Sequence, residues 1–237
     1  MIFKYFKSRY GAILLLVAST YIHSYTQDIG SEAWFAYITD IAIDDHWKVW
    51  NDYSYITNTL GLARVGLTYQ TKTGYQLTGG YAYTRSSTES ASGLVRKENR
   101  LWGQLMTSIE LRTKLNYTIR LRYDARFRER LDAQNNKQNE PSIFNHRFRV
   151  MQDLRYRLSN NSYERYWHID IINEVLVNSG RSVDNGIDQI RSYLMLGYTH
   201  KNVTVLAGAH QRYIPSPTKN WKLNHGATIW VIHHFFL

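Results

Sequence analysis

The stretch KLNYTIRLRYDARFRER, residues 114–130, decides the fold, because it alternates apolar and charged side chains over almost its whole length. In an extended strand, successive side chains point to opposite faces. One face therefore carries a row of guanidinium groups and one carboxylate, namely Arg120, Arg122, Asp124, Arg126, Arg128 and Arg130. The other face carries Leu115, Tyr117, Ile119, Leu121, Tyr123, Ala125 and Phe127. Residues 145–158 repeat the pattern, so the sequence predicts two neighbouring strands with two very different faces.

A membrane setting explains this alternation best. A basic side chain that faces lipid at the middle of a membrane costs about 2–4 kcal/mol. Five of them would together exceed the roughly 5–15 kcal/mol that stabilises a typical domain. We therefore expect the arginines to face the inside of a closed barrel and the apolar series to face lipid. A soluble β-barrel would have the opposite polarity, and periodicity alone does not separate the two, but the aromatic-rich apolar face favours the membrane.

The rest of the chain after residue 30 has the same period of two. We predict eleven strands, approximately at 33–43, 47–56, 62–72, 75–86, 100–111, 114–130, 145–159, 163–178, 189–200, 203–214 and 223–236. Short turns alternate with longer polar loops at 87–99, 131–144, 179–188 and 215–222, which is typical of periplasmic turns and extracellular loops.

The strand number is open at this point, because single-chain bacterial barrels normally have an even number of strands. Either two strands have been merged in the prediction, or segment 33–43 is not part of the wall. The fold class is accordingly an all-β, antiparallel up-and-down transmembrane β-barrel of about twelve strands, with ten as the alternative.

The start of the chain predicts export. Lys4, Lys7 and Arg9 precede an apolar segment at 13–18, so residues 1–26 are expected to be a signal peptide and residues 27–237 the barrel domain. The chain has no cysteine, which excludes disulfides and thiolate chemistry. Its 19 tyrosines and 7 tryptophans, with only three prolines, suit long strands with aromatic belts. We therefore expect the protein in the cell outer membrane.

The predicted inner surface has more positive than negative groups. The candidate lumen network consists of Arg120, Arg122, Arg126, Arg128, Arg147, Arg149, Arg155 and Arg157 with Glu110, Asp124, Asp153, Asp170 and Glu174. An unpaired buried charge is very costly, so such an interior must contain water or anions. Two interpretations stay open. One is a structural lattice of arginine–carboxylate pairs that stiffens the lumen, and the other is a constriction that binds or passes small anions.

No catalytic motif is recognisable in the sequence. It contains neither a glycine-rich phosphate loop nor GxSxG or HExxH. Adjacent His233 and His234 should point to opposite faces of a strand, so no metal site is expected, and we expect no cofactor and no catalytic residue. The expected partners are outer-membrane lipid, lipopolysaccharide and small anions, with no nucleic acid despite the formal net charge of +10. A lipid- or lipopolysaccharide-modifying enzyme remains an alternative, as does an adhesion or assembly protein that acts through loops 87–99 and 131–144.

Several segments together resemble a known family. ENRLWGQ (98–104), RLRYDARF (120–127), NHRFRVMQDLRYRL (145–158), INEVLVN (172–178), QIRSYLMLGY (189–198) and AGAHQRY (207–213) follow one another in this order. This order resembles the bacterial outer-membrane barrel family called domain of unknown function 2490. The resemblance implies recurrent charged positions at Arg120, Arg122, Arg126, Arg147, Arg149, Arg155, Glu174 and Arg191. Asp124 departs from the family pattern RxRxExR, in which a glutamate is expected. The resemblance implies a fold and a location but no activity.

Overall fold

The computed structural model describes residues 26–88, 91–159, 164–180, 183, 186–215 and 221–236. Their strands are β1 (Thr26–Ser31), β2 (Trp34–Ala42), β3 (Trp47–Ile56), β4 (Leu60–Gln70), β5 (Gln76–Thr88), β6 (Ala91–Arg112), β7 (Leu115–Arg128), β8 (Ile143–Arg157), β9 (Arg165–Ser179), β10 (Ile187–His200), β11 (Val203–Pro215) and β12 (Trp221–Phe236). Within these ranges, no helix is long and apolar enough to cross a membrane. The predicted signal peptide lies, up to residue 25, outside the described residues.

The strands form a closed barrel. From β2 to β12, each strand pairs with its neighbour in the sequence in antiparallel fashion, and β12 returns to pair with β2. The pairing is continuous over most strand lengths, as for β10 and β11, where Ile190 lies opposite Tyr213 and His200 opposite Val203. The predicted all-β, up-and-down barrel is thus confirmed.

The seam of the barrel explains the strand number. β2 runs parallel to β12, with Trp34 opposite Thr228 and Ala42 opposite Phe236. A parallel seam is the geometric result when an odd number of alternating strands closes on itself, so the eleven strands β2–β12 complete the ring. β1 is a twelfth strand outside the ring, parallel to β12 at the same register offset as β2. The hypothesis that segment 33–43 lies outside the wall is therefore wrong, and the twelfth strand comes from residues that precede it.

The two ends of the barrel differ in their connections. At one end, here called the turn end, tight turns join β2 to β3, β4 to β5, β6 to β7 and β10 to β11. At the other, the loop end, residues 129–142 form the long connection that was predicted at 131–144. The loop predicted at 87–99 is wrong, because β5 continues to Thr88 and Arg85 still lies opposite Lys97 of β6. Polar residues suggested a loop there, but a hairpin that extends beyond the apolar band can be polar on both faces.

The two surfaces of the barrel have opposite character. Large apolar side chains are exposed on the outer surface, for example Leu101, Phe148 and Leu194, which is 61% exposed. Buried charged side chains lie on the inner surface, together with an apolar cluster of Trp34, Ile56, Ile172, Tyr193, Met195 and Leu206. This polarity is the inverse of that in a soluble barrel.

Two inward-facing glycines shape the inner wall. Gly66 of β4 lies opposite Gly80 of β5. A Cβ atom at Gly66 would lie 2.8 Å from the ring of Trp102, and one at Gly80 would lie 2.0 Å from the carbonyl oxygen of Val65. The missing side chain of Gly66 therefore leaves the space in which Trp102 packs against Trp50, with ring centroids 5.1 Å apart, and that of Gly80 allows the backbone of β4 to approach closely. These rings form part of the setting of the central arginines.

Candidate functional site

The barrel encloses a cavity of about 780 Å³, here called the lumen. Its lining includes Thr59 and Ser87 at the loop end and Lys48 and His234 towards the turn end, so the cavity extends between the two rims. The lumen is therefore large enough to hold a small molecule.

The lumen lining has a clear excess of positive charge. Twelve cationic side chains contribute to it, namely Lys48 and Arg64, Arg96, Arg100, Arg120, Arg126, Arg128, Arg147, Arg149, Arg155, Arg191 and Arg212. Seven carboxylates accompany them, namely Asp40, Asp52, Glu98, Asp153, Asp170, Glu174 and Asp188. Even with every carboxylate ionised, the lining retains an excess of cationic groups, because arginine stays protonated at all relevant pH values.

Asp124 is the centre of the most buried ion cluster. Its side chain is inaccessible to solvent, as is that of Arg122. Arg122 donates from Nε and Nη2 to Oδ1 of Asp124 at 3.0 and 2.8 Å, and Arg149 donates from Nε to Oδ2 at 2.8 Å. The guanidinium of Arg122 also lies 4.3 Å from the ring centroid of Trp102. Both oxygens of one carboxylate thus hold two arginines of neighbouring strands in fixed positions.

Two further carboxylates cross-link strands in the same way. Glu174 of β9 accepts from Arg120 of β7 at 3.0 Å and from Arg191 of β10 at 3.1 Å. Asp170 accepts from Arg155 of β8 at 2.8 Å and lies 2.7 Å from Nδ1 of His168. Glu174 therefore bridges strands on both sides of β9 and Asp170 links β9 to β8, which is the arrangement expected of a stiffening lattice.

A third group, here called the loop-end cluster, consists of Arg96, Arg100, Arg126, Arg128, Arg147, Glu98 and Asp188. Glu98 accepts from Arg100 at 2.8 Å and from Arg126 at 2.5 and 3.0 Å. Nη2 of Arg147 lies 2.8 Å from Asp188.

The remaining two arginines of the loop-end cluster differ from these. The Nε atoms of Arg96 and Arg128 are buried, and neither atom has a hydrogen-bond acceptor among the described residues. Both side chains line the lumen. The loop-end cluster thus contains two guanidinium groups that the described carboxylates leave without an ion pair.

The structure brings most of the predicted network together on the inner surface. Asp124, Arg122, Arg126, Arg147, Arg149, Asp170 and Glu174 are buried there, and Arg120, Arg128, Arg155, Arg157 and Asp153 are half-buried. The prediction for Glu110 is wrong, because this side chain near the turn end of β6 is exposed and has no ion-pair partner among the described residues. Arg130 also lies outside the lumen, beyond the end of β7, where it pairs with Glu140 at 3.4 Å. Arg157 lies 4.3 Å from the ring centroid of Tyr166.

The sequence analysis missed several members of the network. Glu98 and Arg96 fell in a predicted loop, although they share the even parity of Trp102 and Gln104. Arg64, which pairs with Asp52, was obscured because its inward neighbour Leu62 is apolar. These residues would have been found if the alternation of inward and outward residues had been extended along both strands of each hairpin.

A separate ion cluster lies at the seam. Glu32, in the short break between β1 and β2, accepts from Nε of Arg212 at 2.9 Å and from Asn224 at 2.9 Å. Nε2 of His210 lies 3.1 Å from the same carboxylate. The backbone approaches so closely here that a Cβ atom on Gly226 would lie 1.6 Å from the carbonyl oxygen of Glu32. This cluster ties the parallel seam to β11 and β12.

Side-chain geometry for catalysis or metal binding is not evident in the described part of the chain. Ser192 donates to Asn173 at 2.8 Å, and no described serine hydroxyl is hydrogen-bonded to a histidine. Likewise, within the described ranges, no group of three or more histidine, cysteine or acidic side chains is arranged to hold a metal ion.

Comparison with known proteins identifies a family. The family model described as "Protein of unknown function (DUF2490)" matches residues 31–224. Among curated proteins, none matches the sequence. The crystal structure of Pseudomonas aeruginosa OccK5 (OpdH) is similar at 14% identity with a TM-score of 0.35, over 78% of this chain and 53% of that chain. The chain thus spans about half the length of that protein, and a similarity at this level carries no functional argument. Because the family model covers most of the chain, the protein belongs to the DUF2490 family.

Proposed function

We propose that the protein is an outer-membrane β-barrel and that its lumen is a narrow passage for small anions. The outer surface supports the membrane setting. Val65, Leu67, Leu196 and Phe148 point outward and are exposed, while the arginines that alternate with such residues are buried on the other face. In water this arrangement would expose apolar surface and bury charged groups. In a lipid bilayer, the apolar surface contacts lipid and the charged groups face the lumen. Each of the ring strands β2–β12 also contains at least nine residues, which is the length of roughly 9–11 residues that a tilted membrane strand needs.

The proposal of an anion passage rests on the excess of cationic side chains in the lumen. Rings or rows of arginine select anions, because they attract negative charge and repel cations along the path. The excess is largest in the loop-end cluster, where five arginines accompany Glu98 and Asp188, so an anion that enters at the loop end meets an attractive field.

The arginines divide into two groups with different roles. Arg122, Arg149 and Arg191 are held by Asp124 and Glu174, and they stiffen the wall. Arg96 and Arg128 have buried Nε atoms without a described acceptor and line the lumen at the loop end. The two interpretations left open by the sequence therefore apply to different residues of the same lumen.

Planar-bilayer recording of the purified protein under a salt gradient tests the proposal. We expect discrete conductance steps with a reversal potential displaced towards that of the anion. Replacing both Arg96 and Arg128 with glutamine should reduce this displacement, because it removes the cations that no described carboxylate pairs. Arg130→Gln is the matched control, since Arg130 is exposed outside the lumen and pairs with Glu140.

An inserted wild-type protein that conducts without anion preference would contradict the proposal. So would an Arg96/Arg128 double variant with the same reversal potential as wild type. A lipid- or lipopolysaccharide-modifying enzyme remains a second hypothesis, as does an adhesion role of the 129–142 connection, but no contact among the described residues favours either.

A further inference from the structure

The lumen has an apolar side as well as a charged side. Five consecutive strands of the ring, β11, β12, β2, β3 and β4, contribute inward aliphatic and aromatic side chains. Those that line the cavity are Trp34, Ala36, Ile38, Trp50, Leu60, Leu62, Leu206, Trp230 and Ile232. We call this surface the apolar arc.

The charges within the apolar arc are all neutralised by neighbours. Arg64 pairs with Asp52, and Lys48 lies 3.9 Å from Asp40. Arg212 pairs with Glu32. The arc therefore offers hydrocarbon and aromatic surface to the lumen with little free charge.

The charged side lies across the barrel from the apolar arc. In a ring of eleven strands closed between β2 and β12, the strands farthest from β2 are β7 and β8, five steps away in either direction. These strands carry Arg120, Arg126, Arg128, Arg147 and Arg149, all of which line the cavity. One lumen thus presents a guanidinium wall opposite an apolar wall.

Two arginines outside β7 and β8, Arg191 of β10 and Arg64 of β4, lie against tryptophans of the apolar arc. The guanidinium of Arg191 lies 5.0 Å from the ring centroid of Trp34, and that of Arg64 lies 5.1 Å from the ring centroid of Trp50. Trp34 and Trp230 both belong to the apolar arc and pack edge to face at 6.3 Å. Arg191 also shares Glu174 with Arg120 of β7, so the β7–β8 arginines lie within the length of one small molecule of the apolar arc.

We propose that the lumen binds small amphipathic organic anions, with the anionic head on the β7–β8 arginines and the apolar body on the apolar arc. This inference rests on the proposed anion passage and specifies its substrate class. A simple inorganic anion would use only one of the two walls. An unbranched or single-ring carboxylate fits this chemistry, whereas a neutral apolar molecule leaves Arg128, which no described carboxylate pairs, without a counter-charge.

Intrinsic tryptophan fluorescence of the purified protein in detergent provides a readout that does not depend on conductance, because Trp34 and Trp230 line the lumen. The titrants are acetate, butanoate, hexanoate and the neutral analogue hexanamide. Burial of a methylene group corresponds to about a three- to fourfold gain in affinity. We therefore expect the dissociation constant to fall by about this factor with each added methylene, and we expect hexanamide to produce no saturable change.

Two variants locate the binding surface. Ile38→Thr places a hydroxyl in the apolar arc and should weaken hexanoate binding by about threefold or more while leaving acetate unchanged. Val65→Thr makes the same type of change on the outer surface, where Val65 is 47% exposed, and should leave both titrations unchanged.

The outcomes separate this inference from the proposed function. Equal affinity for acetate and hexanoate, with anion-selective conductance retained, would overturn the amphipathic substrate class and leave the anion passage intact. Hexanamide that binds as tightly as hexanoate would show that the arginines do not recognise the ligand, and would also overturn the inference. No saturable binding of any carboxylate, together with unselective conductance, would contradict both.

Discussion

Substituting Asp124 with asparagine is the sharpest test of the paired part of the network. The change keeps the size of the side chain and removes only its charge. Arg122, whose side chain is inaccessible to solvent, and Arg149 would then share no anionic acceptor at this position. Removing one partner of a buried ion pair typically costs about 3–5 kcal/mol, because the remaining charge stays buried.

We expect Asp124→Asn to lower the free energy of unfolding by about this amount. The cation–π contact of Arg122 with Trp102 does not compensate, because it is present in both proteins and is worth roughly 0.5–2 kcal/mol. A loss of this size is a large part of the roughly 5–15 kcal/mol that stabilises a typical domain. The folded barrel should therefore unfold at a clearly lower urea concentration.

Equilibrium urea unfolding in phospholipid vesicles, followed by tryptophan fluorescence, measures this difference. Glu110→Gln is the control, because it removes one acid from an exposed position with no described ion pair. A double variant with Arg149→Met separates pairing from packing, since its cost should be smaller than the sum of the single costs if the two residues interact. If Asp124→Asn and Glu110→Gln unfold at the same urea concentration, the view that Asp124 organises a structural lattice is refuted.

Two further substitutions test the packing and the seam. Gly66→Ala should destabilise the barrel by about 1–3 kcal/mol because its Cβ would overlap the Trp102 ring, whereas Gly103→Ala, whose Cβ meets nothing closer than 3.7 Å, should cost less in the same urea assay. Equal effects would show that the glycine does not make room for the ring. Glu32→Gln should cost about 3–5 kcal/mol by leaving Arg212 without its carboxylate, and an unchanged urea midpoint would show that the seam does not depend on this cluster.

The alternation of side chains was sufficient to predict the fold class and the inward direction of most arginines. In KLNYTIRLRYDARFRER the energetic penalty of the alternative is so large that only one orientation in a membrane is acceptable. The same argument did not reach Glu98 or Arg96, because polar residues on both faces of a strand give no alternation. It also placed Glu110 in the lumen, although parity does not show where along a strand the lumen ends.

The ion-pair and hydrogen-bond partners within the lumen could not be predicted from the sequence for a different reason. Glu174 contacts Arg120 two strands away across the inner curvature, and Arg126 reaches Asn178 as well as Glu98. Such contacts depend on strand tilt, register and the reach of long side chains. The periodicity of a single strand contains none of this information, whereas it does contain the face on which each residue lies.

The two strands at the seam run parallel because the number of strands in the ring is odd, and the additional contacts at the seam follow from this parallel direction. Eleven alternating strands can close only with a parallel pair, and parallel pairing is slightly less stable per residue than antiparallel pairing. In this barrel the seam is lengthened by β1, which continues along β12 at the offset of β2. It is also tied by Glu32, whose backbone N–H donates to the carbonyl of His225 at 3.0 Å and whose carboxylate binds Arg212. Additional pairing length and a buried ion cluster therefore occur at the one pair of strands where the ladder itself is weakest.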